Sequence, residues 1–242
     1  MRLLSISVGL SILGSLGGAI VASTFLLLHE RVRTRIVPWL ISYAVGTLVG
    51  VALLALIPEA LVSLPARDTM LTMAAGILSF FLLEKAVIWR HCHDDEECHV
   101  HSTAASLVIV GDALHTFVDG AVIAAAVLTS VPLGLTTALA VAAHEIPQEV
   151  GDVAILLRAG YSKMRAFTLN LLAGVGGILG AAAMVLASGL LPQALPYVLA
   201  FAAGSFLYVA MADLIPDLHR GNVGGARQLL LICAGIATIA ML

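Results

Sequence analysis

The sequence predicts an all-α polytopic membrane protein with eight transmembrane helices. Hydrophobic residues make up 60% of the 242 residues and charged residues only 11%, whereas a soluble domain is typically about 45–50% apolar and about 25% charged. The apolar residues form runs of about 20, the length that a helix needs to cross a bilayer. The composition therefore excludes a soluble globule. Acidic residues outnumber basic ones by 15 to 12, so we expect no nucleic acid among the partners.

Apolar windows place the eight helices along the chain. They cover residues 3–28, 37–61, 70–89, 104–130, 134–157, 166–188, 193–214 and 228–242, of which the last is short for a span. The first window also resembles a signal peptide, but its apolar run continues to Leu28 and is too long for one. We therefore expect a single transmembrane domain over residues 1–242.

Basic residues indicate the orientation of the helices. They concentrate in alternate loops, at Arg31, Arg33, Arg35, Arg90, Arg158, Lys163, Arg165, Arg220 and Arg227. Because short basic loops stay on the cytoplasmic side, we expect both termini outside and the loop 90–102 in the cytoplasm. The expected location is the cell (inner) membrane, with an organelle membrane as the alternative.

An internal repeat relates the second and seventh helices. Residues 44–59 (AVGTLVGVALLALIPE) align without gaps with residues 202–217 (AAGSFLYVAMADLIPD). The two helices would cross the membrane in opposite directions, as in the inverted repeats that surround the midplane site of secondary transporters. We expect helices 1–3 to mirror helices 6–8, with helices 4 and 5 enclosed between them and carrying the site.

Helices 4 and 5 contain many polar residues and no Lys or Arg between Arg90 and Arg158. The polar side chains are Asp112, His115, Thr116, Asp119, His144, Glu145, Gln148, Glu149 and Asp152. At about 3.6 residues per turn, each set lies on one side of its helix. An ionised carboxylate is costly in hydrocarbon unless it lines a wet cavity or binds a cation. Carboxylates mixed with imidazoles favour divalent cations such as zinc, iron(II) or manganese.

Four other residues bear on this cluster. Pro147 leaves the carbonyl of Ala143 without its helical partner, which predicts a bend in helix 5. Asn170 would extend the site if helix 6 packs beside helix 5. Asp213 in helix 7 would line a pathway or lie near the helix end, and Glu84 in helix 3 is expected at the membrane interface.

The loop 90–102 predicts a second metal-binding feature. It contains His91, Cys92, His93, Cys98, His99 and His101 together with four acids. Many donors without ordered spacing favour a weak, exchanging site over a closed structural one. In the reducing cytoplasm the two cysteines are expected to be thiols. The alternative is a solvated acidic linker.

These motifs resemble those of the ZIP (Zrt/Irt-like) family of divalent-metal transporters. HTFVDG in helix 4 is similar to the family's HNFxDG, and HEIPQEVGD in helix 5 is similar to the HEIPHELGD of one branch. The eight spans, the outside termini and the His-rich loop also agree. The sequence departs from the family pattern at Thr116, where Asn is usual, at Gln148, where that branch has His, and at Ala55, where many members have His.

The resemblance implies a two-metal centre. One site would use His115, Asp119, His144 and Gln148, and the other Thr116, Asp119, Glu145, Gln148 and Asn170. Asp112 would lie one turn along the pathway, where Glu149 and Asp152 are also expected. The resemblance further implies a homodimer, transport toward the cytoplasm, and rigid-body movement of one helix bundle against another.

The sequence therefore predicts a secondary transporter for divalent cations, zinc foremost, with iron(II), manganese and cadmium as alternatives. The metal is the substrate, and no organic cofactor is expected. Export or proton-coupled exchange is the alternative, because sequence alone does not set direction. An intramembrane metallohydrolase is a remote alternative, because His144-Glu145 begins an HExxH-like pattern in which Gln148 replaces the second histidine.

Overall fold

The computed structural model describes residues 2–25, 30–89, 100–220 and 224–242, and every regular element in these ranges is helical. Contiguous segments join into helices that we number in chain order. They are α1 (residues 2–25), α2 (residues 30–63), α3 (Ala66–Trp89), α4 (Val100–Thr129), α5 (Val131–Arg158), α6 (Lys163–Ser188), α7 (residues 195–220) and α8 (Gly225–Ala240). A short 3-10 turn, Pro192–Ala194, precedes α7.

Six of the described helices contain a stretch long and apolar enough to cross a membrane: α1, α2, α3, α4, α6 and α7. The polar residues of α5 lower its mean hydropathy, and α8 has only 16 residues. The chain is thus an all-helical polytopic membrane protein. Several helices extend beyond the predicted windows, because the backbone continues to hydrogen-bond where the side chains become polar.

A single residue joins α4 to α5. Ser130 adopts an extended conformation between them, and its side chain accepts a hydrogen bond from the backbone N–H of Leu133. Pro132 follows in the first turn of α5, where a missing N–H is harmless. This short connection makes α4 and α5 a helical hairpin.

The helices pack in two groups. The first bundle consists of α1, α4, α5 and α6, and within it Gly120 lies against the backbone of Gly177 and Gly18 against the side chain of Glu145. The second bundle consists of α2, α3, α7 and α8. The core that joins the bundles includes larger side chains, such as Leu48.

In the second bundle, α2 and α8 cross at glycine residues. Gly46 of α2 lies against the backbone carbonyl of Ile232 in α8, and Gly235 of α8 lies against the carbonyl of Tyr43 in α2. A methyl group at either glycine would collide with a backbone atom, which cannot move as a flexible side chain can. The two backbones therefore approach closely only because both positions are glycine.

The crossing of α7 and α3 has the same form. Gly204 of α7 lies against the carbonyl of Met73 in α3, and Gly76 of α3 lies against the carbonyl of Phe201 in α7. Gly204 takes the place of Gly46 in the aligned segments 202–217 and 44–59. The two crossings thus use equivalent residues of the repeat.

Three of the described helices contain a π-helical segment. These segments are Ile12–Leu16 in α1, Ala52–Leu56 in α2 and Val209–Leu214 in α7. The last two occupy equivalent places in the repeat, just before Pro58 and Pro216. Because proline cannot donate to the preceding turn, a local widening of the helix accommodates it.

Candidate metal centre

Four buried side chains of the α4–α5 hairpin meet at one point. His115, Asp119, His144 and Glu145 each offer a ligand atom, and these atoms all lie within 4.8 Å of one another. His115 and Asp119 are one turn apart on α4, while His144 and Glu145 are consecutive on α5. The structure thus brings together four of the seven residues that the sequence predicts as metal ligands.

The distances within this cluster suit a small divalent cation. Nε2 of His115 and Nε2 of His144 are 3.2 Å apart. Oδ2 of Asp119 lies 3.1 Å from Nε2 of His144 and 3.7 Å from Nε2 of His115. Bonds of about 2.0–2.1 Å in a tetrahedral zinc site place neighbouring ligand atoms about 3.3 Å apart. The observed separations lie on either side of that value.

The other ring nitrogen of His144 sets the ring's tautomer. Its Nδ1 lies 3.1 Å from the carbonyl oxygen of Ala140. A carbonyl oxygen can only accept, so we assign the hydrogen of the neutral ring to Nδ1. Nε2 then presents a lone pair toward Asp119, an arrangement that a cation between them stabilises. Metal-binding histidines are commonly oriented in this way by a carbonyl.

Several buried carboxylate oxygens near the cluster have no hydrogen-bond partner in the described part of the chain. They are both oxygens of Asp112 and Oε1 of Glu149, while the buried carboxylates of Asp119 and Glu145 lie within hydrogen-bonding reach of each other. Each unsatisfied buried polar group costs about 1–3 kcal/mol, and a charged group more. The recorded ion pairs here involve only His115 and His144. The donor set therefore fits a bound cation.

Two other predicted ligands lie against α6 and α5. Oγ1 of Thr116 is 2.9 Å from the carbonyl oxygen of Ala173 in α6. The side-chain amide of Asn170 donates a hydrogen bond to Oε2 of Glu149. Helix α6 thus packs beside both α4 and α5, as the extension of the site to Asn170 requires.

A cavity of about 370 Å³ leads away from His115 toward the ends of α3, α5 and α7. Its polar lining comprises Glu84, Asp112, His115, Gln148, Asp152, Tyr208, Asp213 and Asp217. Gln148 is therefore on the cavity wall, and Asp112, Asp152 and Asp213 follow the path away from the cluster. Of these ends, that of α3 directly precedes the predicted cytoplasmic loop.

Sequence reasoning missed three of the cavity residues. Glu84, expected at the membrane interface, lies next to the end of the apolar span Ala66–Lys85, and there it also lines the cavity and accepts a hydrogen bond from the hydroxyl of Tyr208 in α7. Asp217 had a usable signal, since it ends the repeated Leu-Ile-Pro-acid motif. No sequence motif around Glu84 or Tyr208 predicts that the two side chains are in contact.

The second bundle contributes aromatic side chains to the wall of the cluster. The ring of Phe80 in α3 lies 5.8 Å from that of His115, and the ring of Phe206 in α7 lies 5.9 Å from that of His144. Both phenylalanines are buried. The clustered ligands thus belong to the first bundle, and the second bundle covers them with apolar surface.

The predicted loop ligands His91, Cys92, His93, Cys98 and His99 lie outside the described residues. The predicted loop bound of 102 is wrong, because α4 begins at Val100 and includes His101, whose side chain lies outside the described part.

A family model described as ZIP Zinc transporter matches residues 89–242. The chain belongs to the ZIP family. The family predicted from HTFVDG and HEIPQEVGD is confirmed. Because this is a family of transporters, the metallohydrolase alternative is set aside.

Three relatives illustrate the similarity. Zinc transporter ZIP13 of Pongo abelii is 35% identical over 219 residues, which cover 84% of this chain and 65% of that protein. Zinc transporter ZIP13 of Homo sapiens is 32% identical over 257 residues, covering 84% of this chain and 69% of that protein. Zinc transporter ZIP4 of Mus musculus is 43% identical over 125 residues, covering 52% of this chain and 18% of that protein.

Proposed function

We propose that this chain carries divalent metal cations, zinc foremost, across a cell membrane into the cytoplasm. The observation that carries the proposal is the buried cluster of His115, Asp119, His144 and Glu145, whose ligand atoms lie within 4.8 Å of one another. Two imidazole nitrogens and two carboxylates are a ligand set typical of zinc, and iron(II) and manganese also accept it. Such ligands replace the hydration shell of an ion at the middle of the membrane.

A second metal is proposed beside the first. The resemblance implies Thr116, Glu145 and Asn170 as its ligands, with Asp119 and Gln148 shared between the two sites. One observation supports it: Asn170 contacts Glu149, which itself retains a buried oxygen without a hydrogen-bond partner among the described residues. The centre and its surroundings thus contain more carboxylate groups than one small cation needs as ligands.

We further propose that all eight helices span the membrane and that α1–α3 mirror α6–α8. The equivalent glycine crossings and π-helical segments support the repeat. Its inversion is supported by the acids that end the two aligned segments, Glu59 and Asp217. Glu59 lines a cavity together with Thr129, the last residue of α4. Asp217 lines a different cavity together with Asp112, which lies in the first half of α4. Equivalent acids therefore lie toward opposite ends of the molecule.

Alternating access would come from movement of the first bundle against the second. The clustered ligands all belong to α4 and α5, so the metal would travel with the first bundle. The close glycine contacts described above lie within a bundle and not between the two. The interface between the bundles contains apolar side chains, such as Phe80 and Phe206, that make no directional bonds with the ligands.

Direction is the part of the proposal that rests on the resemblance, and an exporter or a proton-coupled exchanger would use the same centre. The cavity from His115 toward the loop 90–102 supports an exchange of metal with the cytoplasmic side. The homodimer implied by the resemblance stays a prediction.

Uptake into proteoliposomes tests the function. We expect saturable flux of zinc, and weaker flux of iron(II), manganese or cadmium, with the dependence on an imposed pH gradient showing whether protons are coupled. His144→Ala should abolish the flux, whereas Asp68→Asn near the start of α3 should retain it. A folded, reconstituted protein without saturable flux of any of these metals would contradict the proposal. A lower metal content in expressing cells than in control cells would show that the protein exports metal.

A further inference from the structure

A groove between the N-terminal halves of α2 and α8 combines basic, aromatic and aliphatic side chains. It has a volume of about 390 Å³ and is lined by Arg35, Trp39, Arg227, Leu230 and Leu231. The guanidinium carbon of Arg35 lies 5.6 Å from the centre of the Trp39 ring. The residues that line the groove belong to the second bundle and include none of the metal ligands.

Arg227 lies where a helix least favours a positive charge. It is the third residue of α8, close to the positive end of the helix dipole, and Arg35 of α2 lines the same groove. The first turn of α8 contains no acidic residue, and its N-cap, Gly224, has no side chain to cap it. Among the described side chains, no carboxylate forms an ion pair with either arginine. The groove is therefore an electropositive site that an anion would stabilise.

The apolar part of the groove indicates which kind of anion fits. Leu230 is 69% exposed and follows Arg227 by three residues on α8, so a ligand held by the arginine also meets an aliphatic side chain. Tryptophan is enriched at the level of lipid headgroups. Arginine matches the oxygens of a phosphate in a bidentate manner. A free phosphate would use the arginines but not the leucines.

We propose that this groove binds an anionic phospholipid of the leaflet that contacts the basic loops. The phosphate would lie between Arg35 and Arg227, the glycerol beside Trp39, and an acyl chain along Leu230 and Leu231. Basic pockets between transmembrane helices on the cytoplasmic side bind anionic headgroups in the same way.

Tryptophan fluorescence tests this site directly. The chain has two tryptophans, so Trp89→Phe leaves Trp39 as the only emitter. This variant would be placed in phosphatidylcholine vesicles that contain either dibrominated phosphatidylglycerol or dibrominated phosphatidylcholine, because bromine quenches a tryptophan that it contacts. We expect brominated phosphatidylglycerol to quench Trp39 at a lower mole fraction than brominated phosphatidylcholine does. The ratio of the two mole fractions should be about fivefold for each arginine that contacts the phosphate.

Further variants separate the site from general attraction to a charged membrane. Arg35→Gln combined with Arg227→Gln should abolish the preference, the two lysine substitutions should retain most of it, and Arg67→Gln at the other end of the bundle should leave it unchanged. Equal quenching by the two lipids, or a preference that survives the double glutamine variant, would overturn the proposal. Recovery of fluorescence on adding millimolar glycerol phosphate would also overturn it, because that result identifies a pocket for free phosphate. Zinc uptake by each variant shows that it is folded. Should the double glutamine variant not fold, Arg227→Gln alone must still lower the preference.

Discussion

Nε2 of His144 lies 3.1 Å from Oδ2 of Asp119, while Nδ1 of the same ring contacts the carbonyl oxygen of Ala140. With its hydrogen committed to that carbonyl, the neutral ring offers Asp119 only a lone pair. Two acceptors held this close are stabilised by a cation that both can bind. The hairpin therefore holds the two acceptors at a separation that a shared cation can bridge.

Removing Asp119 should have the largest effect on metal binding. Its carboxylate is adjacent to both imidazoles, so Asp119→Ala should lower zinc affinity by roughly 100-fold or more, since even the loss of a residue that only orients a ligand costs about 10–100-fold. Titration calorimetry on purified protein would measure it, with Asp68→Ala as the control. Zinc affinity unchanged in a folded Asp119→Ala variant would show that the metal binds elsewhere.

Thr116 should have two separable roles. Thr116→Val removes the hydroxyl beside Ala173 and should lower the free energy of unfolding by about 1 kcal/mol. If its oxygen also binds the second metal, as we propose, the second equivalent of zinc should weaken as well. Thr116→Ser keeps the hydroxyl and should retain both properties. A Thr116→Val variant that binds two zinc ions normally would remove Thr116 from the ligand set.

The two repeated helix crossings should respond alike to substitution. Gly46→Ala and Gly204→Ala each place a methyl group against a backbone carbonyl, and the resulting strain should destabilise the protein by about 1–3 kcal/mol or more. Gly9→Ala is the matched control, because Gly9 lies in a helix with open space around it, and alanine there should stabilise by about 0.5–1 kcal/mol. Thermal unfolding in detergent would compare the three. A stable Gly46→Ala protein would contradict the close approach of α2 and α8.

Acids of the cavity should affect the rate of transport more than binding at the centre. Glu84→Gln and Asp213→Asn remove negative charge from the route between His115 and the loop 90–102, so we expect slower zinc flux and nearly unchanged affinity of the central site. Glu59→Gln, toward the opposite end of the molecule, is the control. Flux equal to that of the unmodified protein in both variants would show that the metal does not use this cavity.

Deleting residues 91–101 should tune transport and not abolish it. The loop is rich in metal donors, but the clustered ligands belong to α4 and α5. We expect the deletion to change the apparent KM for zinc by a few-fold. Complete loss of flux, with the protein still folded and able to bind zinc, would make the loop an obligatory part of the pathway.

The clustered ligands could be predicted because their spacing along each helix is local. His115 and Asp119 are one turn apart, so the helical period places both on one side of α4, whereas His144 and Glu145 are neighbours in the polar run of α5 and point about 100° apart. The bond between Glu84 and Tyr208 could not be predicted, since 124 residues separate its partners and only the packing of α3 against α7 brings them together. The π-helical segments also escaped prediction, because a proline such as Pro58 or Pro216 can bend a helix as well as widen it.

The connection of α4 to α5 through Ser130 has a consequence for biogenesis. The four clustered ligands lie within 31 consecutive residues, from His115 to Glu145, so their meeting requires nothing synthesised after α5. A nascent chain could therefore capture a metal ion as soon as this hairpin enters the membrane. Such early capture would neutralise acids that are costly to insert into lipid, before the later helices arrive to enclose them.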